Sequence, residues 1–165
     1  MSEKEYSITI LSEAFYKRAE RKALKEIMEK ENRPYFVLLV KVKNYKFAIP
    51  FRTHITHDYC FKTIPHYENI KENEPIPVNT TPTSWSGIDY TKAVIIEDND
   101  LEQNKIASVN SIEHDMIRKS SRKIKTEFKT YVEGYITMLK MNHPMIEKYR
   151  FTTLVNYHRE LNIEK

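Results

Sequence analysis

The sequence predicts an α+β fold, and three observations support it. Short apolar or alternating runs of strand length occupy residues 35–51 and 89–97. No proline interrupts residues 101–141, where apolar side chains recur at helical spacing. Strands and helix are segregated rather than alternating as βαβ units.

Taken in order, residues 12–30 read as a helix. Ser12 can cap it, and Phe15, Ala19, Ala23 and Ile27 or Met28 fall on one side. Asn32 and Pro34 end it. Phe36-Val37-Leu38-Leu39-Val40 is an apolar run of buried-strand length, after which Val40 and Val42 face one way and Lys41 and Lys43 the other. Asn44 supplies turn chemistry, and residues 46–51 return as a second strand. Pro50 has no N–H for a ladder, so this strand is expected at an edge or near its end there. Arg52, Thr53, His54, Thr56 and His57 follow at its frayed rim. Residues 66–86, with Pro75, Pro77 and Pro82, read as a long surface loop that exits at Trp85. Residues 89–97 form a third strand, with Tyr90, Lys92 and Val94 on one face and Ala93 and Ile95 on the other. In the helical region Ser120-Ser121 marks a kink or break, and Asn142-His143-Pro144 ends it. Residues 151–161 read as a short helix or strand.

Composition narrows the function classes. A chain of 165 residues, 40% hydrophobic and 30% charged, fits one globular domain spanning residues 1–165. Gly87 and Gly134 are the only two glycines, which excludes a glycine-rich phosphate loop or dinucleotide fingerprint. Cys60 is the only cysteine, so there is no internal disulfide. The first ten residues lack the apolar core of a signal peptide, and no run approaches the roughly 20 apolar residues of a membrane span. A cytoplasmic protein without membrane contact is expected. Between residues 117 and 130, Arg118, Lys119, Arg122, Lys123, Lys125 and Lys129 face one acid, Glu127. That excess is larger than the net charge of +4 for the whole chain and suggests a polyanion partner.

The rim at residues 52–57 carries reaction chemistry. Two imidazoles can divide general base and general acid work near neutral pH, and a guanidinium or ammonium can oppose charge on a phosphodiester. In RNA the 2′-hydroxyl is a built-in nucleophile, so a protein needs no metal or other cofactor to use it. Arg52, Thr53, His54, His57 and Lys92 are the candidate catalytic residues. In an extended chain Arg52 and His54 share one face and Thr53 the other, so a turn must gather them. A solvated strand end with backbone-bonded histidines is the plain alternative. His54-x-x-His57-x-x-Cys60 has zinc-ligand spacing, with His66 to complete it, but one cysteine and no second ligand pair make a poor site. Cys60, between Tyr59 and Phe61, reads as a buried small hydrophobe. Candidate RNA contacts are Lys41, Lys43, Tyr45 and Lys46 on the hairpin, and Arg118, Lys119, Arg122 and Lys123 on the helix. The rival reading is a non-catalytic RNA-binding protein using the same basic surface.

The order of these pieces resembles the ToxN/AbiQ-type toxins of type III toxin–antitoxin systems. The resemblance rests on an apolar strand, Lys46-Phe47-Ala48-Ile49-Pro50-Phe51, and the polar Arg52-Thr53-His54-Ile55-Thr56-His57. A variable loop, Gly87-Ile88-Asp89-Tyr90 leading into Lys92-Ala93-Val94-Ile95-Ile96, a long helical region and Phe151-Thr152-Thr153-Leu154 complete it. It implies a compact twisted antiparallel sheet of the MazF/Kid-like kind and a metal-independent endoribonuclease leaving a 2′,3′-cyclic phosphate. It also implies a folded repeat RNA antitoxin as processed partner and inhibitor, closed toxin–RNA assemblies, cellular or phage RNA as target, and a role in phage defence. Better-known members place a hydroxyl pair and then a lysine after the proline-ended strand. Here Thr53 matches one hydroxyl, Arg52 replaces the other, and Ile55 stands where the lysine would be. The cation is then expected from Arg52, His54, His57 or Lys92.

Overall fold

The computed structural model describes residues 6–27, 34–38, 43–68, 70–71, 73–102, 107 and 109–163. Among these residues six antiparallel strands and two α-helices realise the α+β class. The strands are β1 (Tyr6–Ile10), β2 (Pro34–Leu38), β3 (Lys46–Ile55), β4 (Cys60–His66), β5 (Ser84–Asp89) and β6 (Val94–Ile96). Their order is β1-β2-β3-β5-β4, with β6 also on β3.

β3 is the hub. Lys43 and Asn44 lead into it as a turn through left-handed backbone, φ 54° and 68°. Residues 39–42, where the first strand was expected to continue, lie outside the described residues. Pro50 does not end β3, which runs on to Ile55. Tyr35↔Pro50 is the final pair of the β2–β3 ladder, and Phe51 is already paired with Ile88 of β5. A missing N–H is tolerated where the ladder changes partner.

The third strand expected over residues 89–97 is broken. Asp89 caps a 3₁₀ turn, Tyr90–Lys92, with Oδ1 accepting from the Thr91 amide at 3.0 Å and the Thr91 hydroxyl at 2.6 Å. Tyr90 and Lys92 therefore leave the strand alternation, and only Val94–Ile96 continues as β6. β5 and β6 follow one another along β3, pairing with its later and earlier halves. β1, β4 and β5 arise where the sequence reading placed no strand. β1 follows the period-two pattern of Tyr6, Ile8 and Ile10, and β4 with β5 shortens the expected loop to residues 67–83.

Helix α1, Glu13–Arg21, buries Phe15 and Ala19 one turn apart. Ser12 precedes it, but its hydroxyl donates to the Asn99 carbonyl at 3.0 Å instead of capping. The helix stops nine residues early, because Ala23 turns left-handed at φ 50° and closes the end. Leu24 N–H donates to the Ala19 carbonyl and Ala23 N–H to that of Glu20, each at 3.0 Å. Residues 28–30 of the expected helix lie outside the described residues.

Helix α2, Ser111–Lys140, is capped by Asn110 and kinks at Ser120 (φ −116°, ψ 15°), where the sequence places a kink or break. It begins later than expected. Leu101 pairs with Leu11, and the Glu102 amide donates to the Ile10 carbonyl at 2.9 Å. Residues 103–106 and 108 lie outside the described residues. Ile117, Ile124, Phe128 and Val132 project from one side of α2 onto Phe47, Ile49 and Ile88 of the sheet. Phe128 and Phe47 rings lie 5.0 Å apart. Each such fully buried side chain contributes about 1.5–3 kcal/mol of hydrophobic stabilisation. Ala48, between Phe47 and Ile49, turns the other way and packs with Phe15, Ala19, Tyr35 and Val94 beneath α1. The tail ends in 3₁₀ turns, Pro144–Tyr149 and Thr153–Asn156. The Thr153 hydroxyl lies 3.2 Å from the Thr91 carbonyl and donates to that of Ala93, tying the tail to the turn after β5. Among the described residues no helix is long and apolar enough to cross a membrane.

Candidate active site at the end of the central strand

Alternation decides what the later half of β3 offers. Phe51, Ile88 and Phe61 are mutually paired across three strands and face the core under α2. Arg52 therefore turns to the opposite face. On β4, Phe61 joins the core and the Thr63 hydroxyl donates to Glu113 Oε2 of α2 at 2.7 Å, so Lys62 between them also turns outward. Arg52 and Lys62 share one Cα partner, Gly87. A Cβ at Gly87 would lie 2.0 Å from the Phe61 carbonyl oxygen, so the close approach of β4 and β5 here requires glycine.

Asp89 anchors the site. Its side chain is fully buried, and Oδ2 accepts from Arg52 Nη1 at 2.7 Å. Burial pushes its pKa up, but contacts from His57, Thr91 and Arg52 outweigh burial and hold it at about 2. The carboxylate is thus ionised at neutral pH and fixes one edge of the guanidinium. Arg52 remains 29% exposed, which leaves part of its planar fork open to an anion.

His57 is delivered by the bend at residues 57–59. Tyr59 pins that bend by stacking on Tyr149, ring centroids 5.4 Å apart, while its carbonyl accepts from the Tyr90 amide at 3.0 Å. His57 Nδ1 accepts from the Tyr59 amide at 3.1 Å, which places the neutral ring's proton on Nε2. Nε2 lies 3.2 Å from Asp89 Oδ1, at ion-pair distance but off the line of a good hydrogen bond. Nδ1 is thus engaged by the backbone, while Nε2 faces the Asp89 carboxylate without a hydrogen bond of its own. Thr53 and His54 differ. Both are exposed on β3, and among the described residues neither side chain has a partner.

The remaining candidates are dispersed. Lys92 Nζ donates to Glu26 Oε2 at 3.0 Å and to the Phe151 carbonyl at 2.9 Å, and so serves the tail rather than the Arg52 cluster. Lys43 is exposed, Tyr45 is 36% exposed, and Lys46 pairs with Asp98 at 2.9 Å. Lys41 lies outside the described residues. On α2, Arg118 and Lys119 both pair with Asp115, at 2.6 and 2.9 Å. Arg122 and Lys123 are exposed with no partner among the described residues. Because α2 packs on the sheet face from which Arg52 turns away, the basic helix and the strand-end cluster are separate surfaces.

The zinc-like spacing dissolves in three dimensions. The Cys60 thiol donates to the His57 carbonyl at 3.4 Å, and burial, then the Asp89 charge, pushes its pKa up to about 12. Cys60 is a buried thiol, as its flanking aromatics suggest. His66 Nε2 instead meets the Ser86 hydroxyl at 2.6 Å. Among the described residues no three His, Cys, Asp or Glu side chains group as metal ligands. Comparison of the chain with protein-family models, with curated proteins and with solved structures gives no match.

Sequence reasoning missed Asp89 and Thr91 as site residues. Their signal is Asp89-Tyr90-Thr91, an Asp two residues ahead of the amide it caps, and the only charge in residues 84–91.

Proposed function

We propose that this chain is a metal-independent endoribonuclease toxin of the ToxN/AbiQ type, acting in the cytoplasm. The observation that carries the reading is the partly exposed Arg52, held by buried Asp89 and next in sequence to the exposed Thr53 and His54. In this reading the open edge of Arg52 binds a non-bridging phosphate oxygen, and the register shift of the β3–β5 ladder between Arg52 and Ile55 breaks the alternation so that Thr53 donates a further hydrogen bond to it. The 2′-oxygen attacks phosphorus, the bond to the 5′-oxygen breaks, and the products are a 2′,3′-cyclic phosphate and a 5′-hydroxyl. His54 carries one of the two protons, taking it from the 2′-hydroxyl or giving it to the leaving oxygen, and water carries the other. His57 and Asp89 act through Arg52 as positioning residues.

The six-stranded antiparallel sheet, with a 3₁₀ turn dividing β5 from β6, supports a MazF/Kid-like fold. The exposed Arg122 and Lys123, with Arg118 and Lys119 beside them, suit the backbone of a folded repeat RNA antitoxin in a closed toxin–RNA assembly. One observation favours a non-catalytic RNA-binding protein instead: His57 turns its Nε2 to buried Asp89 with Nδ1 engaged by the backbone, leaving His54 as the one exposed imidazole of the rim. Comparing His54→Ala with His57→Ala separates the two. The nuclease reading expects His54→Ala to abolish RNA cleavage while binding persists. Cleavage unchanged in His54→Ala would remove that residue's role, and binding without cleavage by the wild type would establish the rival.

A further inference from the structure

We propose that Trp85, with Lys62 over its ring, seats one unpaired nucleobase of RNA next to the phosphate site at Arg52. The proposal rests on the RNA reading above and specifies how that same site holds its substrate. Trp85 lies on β5 two residues before Gly87, the shared partner of Arg52 and Lys62. Two residues along a strand span about 7 Å, within the reach from a nucleotide's phosphate to a base. Gly87 contributes no side chain between them, so of the pair facing each other there only the flexible Lys62 side chain lies along the way.

Trp85 is partly exposed and its backbone is held on both sides. Its backbone pairs with Ile55 on one side, itself 1% exposed, and with Pro65 on the other. Lys62 Nζ stands 5.4 Å from the ring centroid, and Asp58 Oδ1 holds the same ammonium at 2.8 Å. Lys62 is 36% exposed and its stem is flexible, so the ammonium can yield the ring face to a base and turn to the adjoining phosphate. A partly exposed aromatic ring covered by one mobile cation, with a second cation on the neighbouring strand, is the kind of arrangement that recognises splayed-out bases of single-stranded RNA. Duplex RNA keeps its bases stacked and cannot use it.

Trp85 is the only tryptophan, so its fluorescence reports this subsite alone. The experiment titrates the full chain with a single-stranded 2′-O-methyl oligoribonucleotide, which lacks the reactive hydroxyl, and with an abasic strand of equal length. Polarisation of a label on each strand measures binding independently. The expected result is strong quenching by the base-bearing strand and little by the abasic one. Trp85→Leu should weaken the base-bearing strand roughly 5- to 150-fold without affecting the abasic strand, and Trp85→Tyr should restore most of it. Binding of both strands with equal affinity and unchanged fluorescence overturns the stacking subsite while leaving the RNA reading intact. No binding of either strand at low salt overturns both. The wild-type fluorescence result decides the matter even if Trp85→Leu fails to fold.

Discussion

Replacing Asp89 with asparagine removes one buried charge while preserving the side chain's shape. Asparagine keeps an oxygen for the Thr91 amide and hydroxyl but no longer offers a carboxylate to Arg52 and His57. The carboxyl falls from an ordinary 3.8 to about 2 in the folded chain. At 1.36 kcal/mol per pKa unit, that displacement is worth about 2 kcal/mol of folding stability at neutral pH. The cost stays below the 3–5 kcal/mol typical of breaking a fully buried pair, because Arg52 is 29% exposed and water can reach it. A carboxyl whose folded pKa is depressed contributes its stability above the unfolded value and loses it as pH falls through the folded value. The wild-type advantage should therefore be complete above about pH 4 and mostly gone near pH 2. Urea unfolding followed by Trp85 fluorescence, from pH 7 down to pH 2, measures it directly. Equal stability of the two proteins at pH 7, or a gap that persists undiminished to pH 2, would refute the anchoring role.

Three further outcomes are expected. Gly87→Ala places a methyl group 2.0 Å from the Phe61 carbonyl and should cost at least about 2 kcal/mol in urea unfolding by forcing β4 from β5. Ala23→Gly relieves a left-handed alanine at the end of α1 and should stabilise the fold by about 0.5–1 kcal/mol, seen as a higher urea midpoint at unchanged slope. Replacing Arg122 and Lys123 together by glutamine should lower the slope of log affinity against log salt for single-stranded RNA by about 1.4, measured between 50 and 200 mM salt. An unchanged slope would remove the helix from the RNA interface.

Elements whose local signals agree with their surroundings were legible in the sequence. The apolar face of α2, its kink at Ser120 and the turn at Asn44 each follow from periodicity or turn chemistry. The strand over residues 89–97 misled because Val94, Ile95 and Ile96 carry a strong β signal, whereas the Asp89 side chain captures the Thr91 amide first. Pro50 misled in the opposite sense, since a strand that changes partners at the proline need not stop there. β4 and β5 were hidden because Pro65, Ser84, Ser86 and Gly87 are poor strand formers, held here by pairing across the sheet. Of the site, the rim from Arg52 to His57 stood out by residue type, but its geometry did not. The bend pinned by Tyr59 brings His57 to Asp89, a partner thirty-two positions away, while Lys92 is drawn off by Glu26 and Phe151. Such long-range pairings leave no local pattern to read.

The central claim is that the end of β3 cleaves RNA through its own 2′-hydroxyl. Its most direct test is incubation of a 5′-labelled, mixed-sequence RNA with the wild-type chain in EDTA, followed by analysis of the product ends. Discrete fragments ending in 2′,3′-cyclic phosphate, absent with Arg52→Ala, are the predicted result. RNA that is bound yet remains intact, or fragments carrying 5′-phosphates that form only after a divalent metal is added, would contradict it.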